Sequence, residues 1–173
     1  DCLSLKIEWV EMASYANRLP TCMLLGGNFT DNGEVTGWKS FESLELAEKS
    51  IFVVKQDIRL LKEYVVKYWV DHIELMLSKH VVKTSEVRYV IPHVSSMFFY
   101  YELLKELELR NIDLGEDKWF TNLTWVGNMG SASIFVALEE LMRTKPLRKG
   151  DEILLLVPES GRFSYGTALL KVV

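Results

Sequence analysis

Cysteine is nearly missing from this chain: Cys2 and Cys22 are the only two among 173 residues. Two cysteines at this spacing make neither a zinc motif nor a Cys-x-x-Cys redox pair. They read as reduced thiols, with a disulfide as the alternative. No metal site is expected. No apolar run approaches the roughly 20 residues that span a bilayer. No basic segment leads into an apolar stretch with a small-residue cleavage site. These absences point to a cytoplasmic protein with no membrane partner. Excess positive charge is missing too. Lys and Arg total 20 against 24 Asp and Glu, a formal net charge of −4, which argues against nucleic-acid binding by overall electrostatics. There is no repeat, no low-complexity segment and no initiator methionine. Asp1 and Cys2 lead straight into the alternation Leu3-Ser4-Leu5-Lys6-Ile7-Glu8-Trp9-Val10, so the chain reads as a piece of a longer protein. Asn28-Phe29-Thr30 and Asn122-Leu123-Thr124 match the glycosylation pattern, which short triplets do by chance.

What is present is a core. Hydrophobic residues make up 49% of the chain, enough for one folded domain rather than a disordered one. Alternation from about Leu3 to Ala13 predicts a strand. Gly26-Gly27-Asn28 and Asp31-Asn32-Gly33 are turns, within an irregular or hairpin excursion ending near Trp38. Ala47, Ile51, Val54, Ile58, Leu61, Val65, Tyr68 and Met76, with His72 filling one step, predict one long helix of roughly 45 Å. A coiled coil is the alternative, but aromatic bulk in the stripe favours packing on a sheet. Val87–Ile91, closed by Pro92, reads as a buried strand. Ser95 or Ser96 can cap the next helix, which runs to about Leu109. Trp119 to Trp125 alternates as a strand. Asn128 is expected to open a helix carrying Ile134, Ala137 and Leu141. Asp151–Val157 is an apolar strand, Glu159–Arg162 a turn and Phe163–Val173 a last strand, antiparallel to its neighbour. This order argues an α/β domain with a largely parallel sheet.

The chemistry sits at the strand ends. Gly127-Asn128-Met129-Gly130-Ser131-Ala132-Ser133 places an amide at a strand-to-helix turn, and Pro92-His93 places an imidazole after another strand. Two neutral hydrogen-bond donors on two strand ends can converge on one oxygen and stabilise an enolate or oxyanion. No nucleophile accompanies them. Each residue also has a plain reading: His93 as a satisfied buried histidine, Asn128 as a helix cap, and Gly161 as a turn glycine with positive φ. His72 and His80 read as structural or solvated. Arg162 and Arg148 read either as surface residues or as contacts to an acidic partner or phosphate. Met97-Phe98-Phe99-Tyr100-Tyr101 reads as packing ahead of an acyl tunnel.

Four motifs stand in order at predicted element boundaries. They are Val90-Ile91-Pro92-His93, Gly127-Asn128 with Gly130-Ser131-Ala132-Ser133, Leu147-Arg148-Lys149-Gly150-Asp151, and Gly161-Arg162-Phe163-Ser164-Tyr165-Gly166. Through them the chain from Arg88 to Val173 resembles the carboxy-terminal half of the β-ketoacyl-acyl-carrier-protein synthase III family of thiolase-like condensing enzymes. The resemblance implies a thiolase-like half-domain over residues 1–173: a mixed, mostly parallel five-stranded sheet with helices on both faces. It implies decarboxylative Claisen condensation of an acyl thioester with malonyl-acyl carrier protein, in fatty acid or specialised lipid synthesis. His93 and Asn128 take the decarboxylation roles, and the Gly161 backbone N–H takes a second oxyanion role. The nucleophilic cysteine belongs to an amino-terminal half that is absent here, and neither Cys2 nor Cys22 replaces it. No prosthetic group is implied; acyl-CoA or phosphopantetheine-linked carrier protein are the substrates. Expected partners are acyl carrier protein, the amino-terminal half and a second copy in a homodimer, because an isolated half exposes a face meant for burial.

The chain also departs from the pattern. Where the family commonly reads Pro-His-Gln-Ala-Asn, this chain has Pro92-His93-Val94-Ser95-Ser96. Phe98 stands where an arginine often meets the carrier, so Phe98 and Arg162 are weaker candidates for substrate or carrier contact. Two other readings keep the fold: a non-catalytic partner or acyl-binding module, and an acyltransferase or thioesterase variant.

Overall fold

The computed structural model describes residues 3–173; Asp1 and Cys2, one of the two thiols considered above, lie outside the described residues. Along the chain, β1 (Leu5–Ser14) leads to the short strands β2 (Met23–Leu24), β3 (Gly27–Phe29) and β4 (Val35–Gly37). Next come α1 (Ser43–Glu48), β5 (Lys55–Gln56), α2 (Ile58–Lys79), β6 (Val87–Pro92) and α3 (Met97–Leu109). The one-turn α4 (Leu123–Val126), then α5 (Ser133–Thr144), β7 (Glu152–Glu159) and β8 (Ser164–Val172) complete the order. The chain divides into two compact units. One holds residues up to Ala13, Val66–Pro158 and Tyr165–Val173; the other holds Ser14–Val65 and Glu159–Ser164.

The first unit is built on a sheet of order β1-β8-β7-β6. β6 and β7 run parallel, from Val87 opposite Glu152 to Pro92 opposite Leu156. β7 and β8 are neighbours joined by a short turn, so they are antiparallel. Ser4 and Val173 exchange both backbone hydrogen bonds, at 3.3 and 2.9 Å, the signature of an antiparallel pair between β1 and β8.

The sheet is therefore mixed but not mostly parallel, and it has four strands, not five. The expected strand at Trp119–Trp125 shrinks to one parallel bridge between Val90 and Trp119, followed by a bond from Phe120 N–H to Val90 O at 2.9 Å. Beyond it, Asn122 Nδ2 and Trp125 Nε1 donate to the two oxygens of Glu140, at 2.7 and 3.0 Å. Residues three apart point to opposite faces of a strand but to one side of a helix. Sharing this carboxylate requires the helical turn.

Helices cover both faces, as expected. Ile134, Ala137 and Leu141 of α5 pack on Tyr89, Ile91, Ile153, Leu155 and Leu170. The opposite parity of β8 points the other way, where Tyr165 meets His72 of α2 at a ring distance of 6.3 Å. The carboxy-terminal end of α3 is tied to α2: the Arg110 guanidinium pairs with Asp71 of α2 and, at 2.9 Å, with Glu106 of its own helix.

In the second unit β2 pairs with β5 and β3 with β4, both antiparallel. The single long helix predicted from Ala47 to Met76 is two helices. After α1, Ser50 takes a left-handed φ of 49°. Ser50 N–H bonds Ala47 O and Ile51 N–H bonds Leu46 O, both at 3.0 Å. This pair of bonds closes a helix end and is usually made with glycine at the left-handed position; a serine hid it. Ile51 is then fully buried as a plug. Asp57 restarts the helix, its Oδ1 accepting the Leu60 N–H at 2.9 Å, the usual role of an aspartate before the first turn. Among the described residues no helix is long and apolar enough to cross a membrane.

Candidate active site

β6 ends at Pro92, and the His93 N–H extends the ladder to Leu156 O at 2.8 Å. That bond fixes the His93 backbone at the carboxy-terminal end of the parallel pair. The ring is half-buried, and its Nδ1 is shielded from solvent with no protein partner. Burial pushes the imidazole pKa below its ordinary value, so His93 is neutral near pH 7. A neutral imidazole carries one N–H to give. α3 begins four residues later, with Ser96 at its cap position but no side-chain cap bond. Phe98, on the first turn, is half-exposed and edge-on to Phe99 at 5.2 Å.

Asn128 does not open α5 as expected. That helix starts at Ser133, after a tight turn over Gly130–Ala132. The Asn128 side chain organises the intervening loop. Its Oδ1 accepts the Gly130 N–H at 3.0 Å and the Ser133 Oγ at 3.4 Å, while Ser133 Oγ takes the Met129 N–H at 2.9 Å. A backbone N–H can only donate, so the amide oxygen faces Gly130 and Nδ2 is the outward donor end. Asn128 is exposed. The bridge at Trp119 is parallel to Val90, so the chain leaves it toward the same sheet end where β6 delivers His93.

Gly161 and Arg162 belong to the second unit, in the turn between β7 and β8. Gly161 is buried, and its φ is not in the left-handed region; Phe163 takes that conformation, at 52°. The reading of Gly161 as a positive-φ turn glycine is therefore corrected. A Cβ there would lie 2.6 Å from Glu159 Oε1, the far end of an exposed side chain, which would have to move aside. That carboxylate accepts the Gly161 N–H through Oε1 and the Arg162 N–H through Oε2, the latter at 3.1 Å. The Arg162 side chain is exposed. Sequence reasoning missed Glu159, for which only its place two residues before a glycine gives any signal. It also missed Ser133 as the partner of Asn128.

Cys22 is fully buried, its Sγ donating to Asp57 O at 3.3 Å. Burial, reinforced by the charges of Asp57 and Glu159, pushes the thiol from 9.0 to about 11. A thiol so protonated is a poor nucleophile, as expected. His72 is fully buried on Tyr165, and burial pushes its pKa down. His80 stacks on Trp9 at 4.1 Å and meets Glu11 at 3.1 Å. Both do structural work. Among the described residues no three His, Cys, Asp or Glu side chains are grouped to hold a metal ion.

Residues 77–172, over half the chain, match the family described as 3-oxoacyl-[acyl-carrier-protein (ACP)] synthase III C terminal. The chain belongs to this family. Among curated relatives, the β-ketoacyl-[acyl-carrier-protein] synthase III of Clostridium kluyveri is 29% identical over 121 residues, covering 70% of this chain and 36% of that protein. The synthase III of Clostridium beijerinckii is 34% identical over 90 residues, covering 52% of this chain and 26% of that protein. The chain spans about a third of the length of these curated relatives. Solved structures share its fold. A tetronic acid condensing enzyme, AbyA1, superposes with a TM-score of 0.72 at 16% identity, over 96% of this chain and 45% of that one. The 3-oxoacyl-(acyl carrier protein) synthase III of Pseudomonas aeruginosa PAO1 gives 0.68 at 17%, over 96% and 46%. The fold is the thiolase-like fold of the synthase III enzymes.

Proposed function

We propose that residues 1–173 form the carboxy-terminal half of a synthase III-type condensing enzyme that joins an acyl thioester to malonyl-acyl carrier protein. What supports this most is the family match over residues 77–172; beside it stand His93 at the end of β6, held neutral by burial, and Asn128, whose amide oxygen is taken up by Gly130 N–H so that Nδ2 is its donor end. Neutral donors suit decarboxylation. As carbon dioxide leaves, the electron pair of the breaking C–C bond moves onto the malonyl thioester oxygen. Donors there stabilise that charge without adding a competing base. The enolate then attacks the acyl thioester carried by a cysteine of the amino-terminal half. A C–C bond forms and the cysteine thiolate leaves. The Gly161 N–H serves the acyl carbonyl in that second step. Acyl-CoA and carrier-bound thioesters are the substrates, with no prosthetic group.

The exposed side of α5, with Phe135 68% exposed beside Leu138 and Met142, is a face for the amino-terminal half or a second copy to cover. Arg162 and Phe98 are the candidate contacts for acyl carrier protein.

The test is malonyl-carrier-protein decarboxylation by this chain alone and mixed with a supplied amino-terminal half. Activity only on mixing is the expected result; no activity from folded material in either case refutes the catalytic reading. A second reading, a non-catalytic partner of the same fold, is favoured by one observation: the Gly161 N–H is already bonded to Glu159.

A further inference from the structure

The turn between β7 and β8 already binds an anion, and the anion is its own. Glu159 lays one carboxylate oxygen on the N–H of Gly161 and the other on the N–H of Arg162. Successive backbone N–H groups converging on one anion form a concavity suited to an oxyanion. We propose that Glu159 is a displaceable cap: it occupies the donors that a thioester oxygen would use, and substrate must compete with it. This rests on the reading of Gly161 as an oxyanion donor.

Three observations support the cap. First, the carboxylate lies directly against Gly161, whose φ is ordinary: a Cβ there would be 2.6 Å from Glu159 Oε1 and would push that side-chain end aside. Second, the turn itself is fastened. Gly161 O takes the Cys22 N–H at 2.8 Å, Phe163 O takes the Tyr15 N–H at 3.0 Å, and Ser160 Oγ takes Gln56 Nε2 at 3.2 Å. The donors therefore cannot swing away to find another partner. Third, the movable part is the Glu159 side chain, which is exposed and can rotate into water, where its charge is solvated. A fixed donor pair with a mobile internal acceptor is a competition. A cap closed about nine-tenths of the time weakens apparent affinity about tenfold.

The experiment is amide ¹H–¹⁵N spectroscopy of the chain and its Glu159→Ala, Glu159→Gln and Gly161→Ala variants, with acetyl-pantetheine as the thioester probe. The Gly161 and Arg162 amide protons should move upfield together in Glu159→Ala, less in Glu159→Gln, which keeps a neutral acceptor. Arg162 should also move in Gly161→Ala, where the new methyl pushes the carboxylate off. Acetyl-pantetheine should then shift these amides in Glu159→Ala at about one-tenth the concentration needed for the unaltered chain. Unmoved amides in the Glu159 variants overturn the cap. So does equal probe response, or none, in both proteins. If Glu159→Ala fails to fold, Gly161→Ala and Glu159→Gln decide the question alone. Failure of the functional reading is separate: it appears as absent decarboxylation in the mixing experiment while the amide shifts and the probe competition persist.

Discussion

The loop carrying Asn128 and the turn carrying Gly161 use the same device to opposite ends. In each, a side chain's oxygen accepts hydrogen bonds from donors within a few residues, a backbone N–H among them. At Asn128 the oxygen is one end of an amide, so satisfying it on Gly130 and Ser133 leaves the Nδ2 donor facing outward. At Glu159 both oxygens accept, and the backbone donors of Gly161 and Arg162 are consumed. The same local chemistry prepares a donor in one place and occupies donors in the other. Which side chain does the accepting decides between them.

The sharpest way to break this comparison is to remove the prepared donors. His93→Ala and Asn128→Ala, each in the mixed two-half protein, should lower malonyl decarboxylation by about 10²–10³, the usual cost of losing one oxyanion donor. Acylation of the amino-terminal cysteine should persist in both. Loss of acylation as well, read by mass spectrometry, would make the two residues structural.

The closed side can be sharpened at Cys22, which faces the Glu159 and Asp57 charges. With the thiol at about 11 in place of 9.0, its thiolate fraction at pH 8 falls about a hundredfold. Iodoacetamide should label Cys22 about that much more slowly in the folded chain than in urea. The sign for stability follows. The folded state holds the proton more tightly, so stability is flat below about pH 9 and declines as pH rises from 9.0 toward about 11, where the unfolded thiol has already ionised. Fast labelling of folded protein would show that the second unit opens readily.

The smallest expected effect lies at Ser133. Losing its hydroxyl removes one neutral acceptor for Met129 N–H and one donor to Asn128, which should cost about two- to tenfold in kcat for decarboxylation. Ser133→Thr should restore most of it, and KM should be unchanged. An effect on KM instead would place Ser133 in substrate contact.

Much of the frame around the candidate site was legible because strand ends leave strong marks. Pro92 closes β6, with one more ladder bond from the His93 N–H; Val87–Pro92 and Leu109 fall where pattern placed them. The rest depended on side-chain partners far apart in sequence or on atypical residues. Ser50 did the work of a glycine, so the helix break was invisible. Glu140 drew Asn122 and Trp125 out of strand geometry from 18 and 15 residues away. Gly161 was conspicuous, but no pattern tells that a carboxylate two residues earlier accepts its N–H.

Glu140 has one more effect. The Asn122 hydrogen bond holds its carboxyl below the usual carboxylate range, so it stays ionised and keeps α4 tied to α5 through the range in which most proteins work. The Asn128 loop is thus a short span anchored at both ends. Closing so short a span while the chain folds removes most of its configurational freedom. On the proposed function, a substrate arriving later would meet an amide already immobilised, and the entropy of orienting it would be spared from the activation barrier.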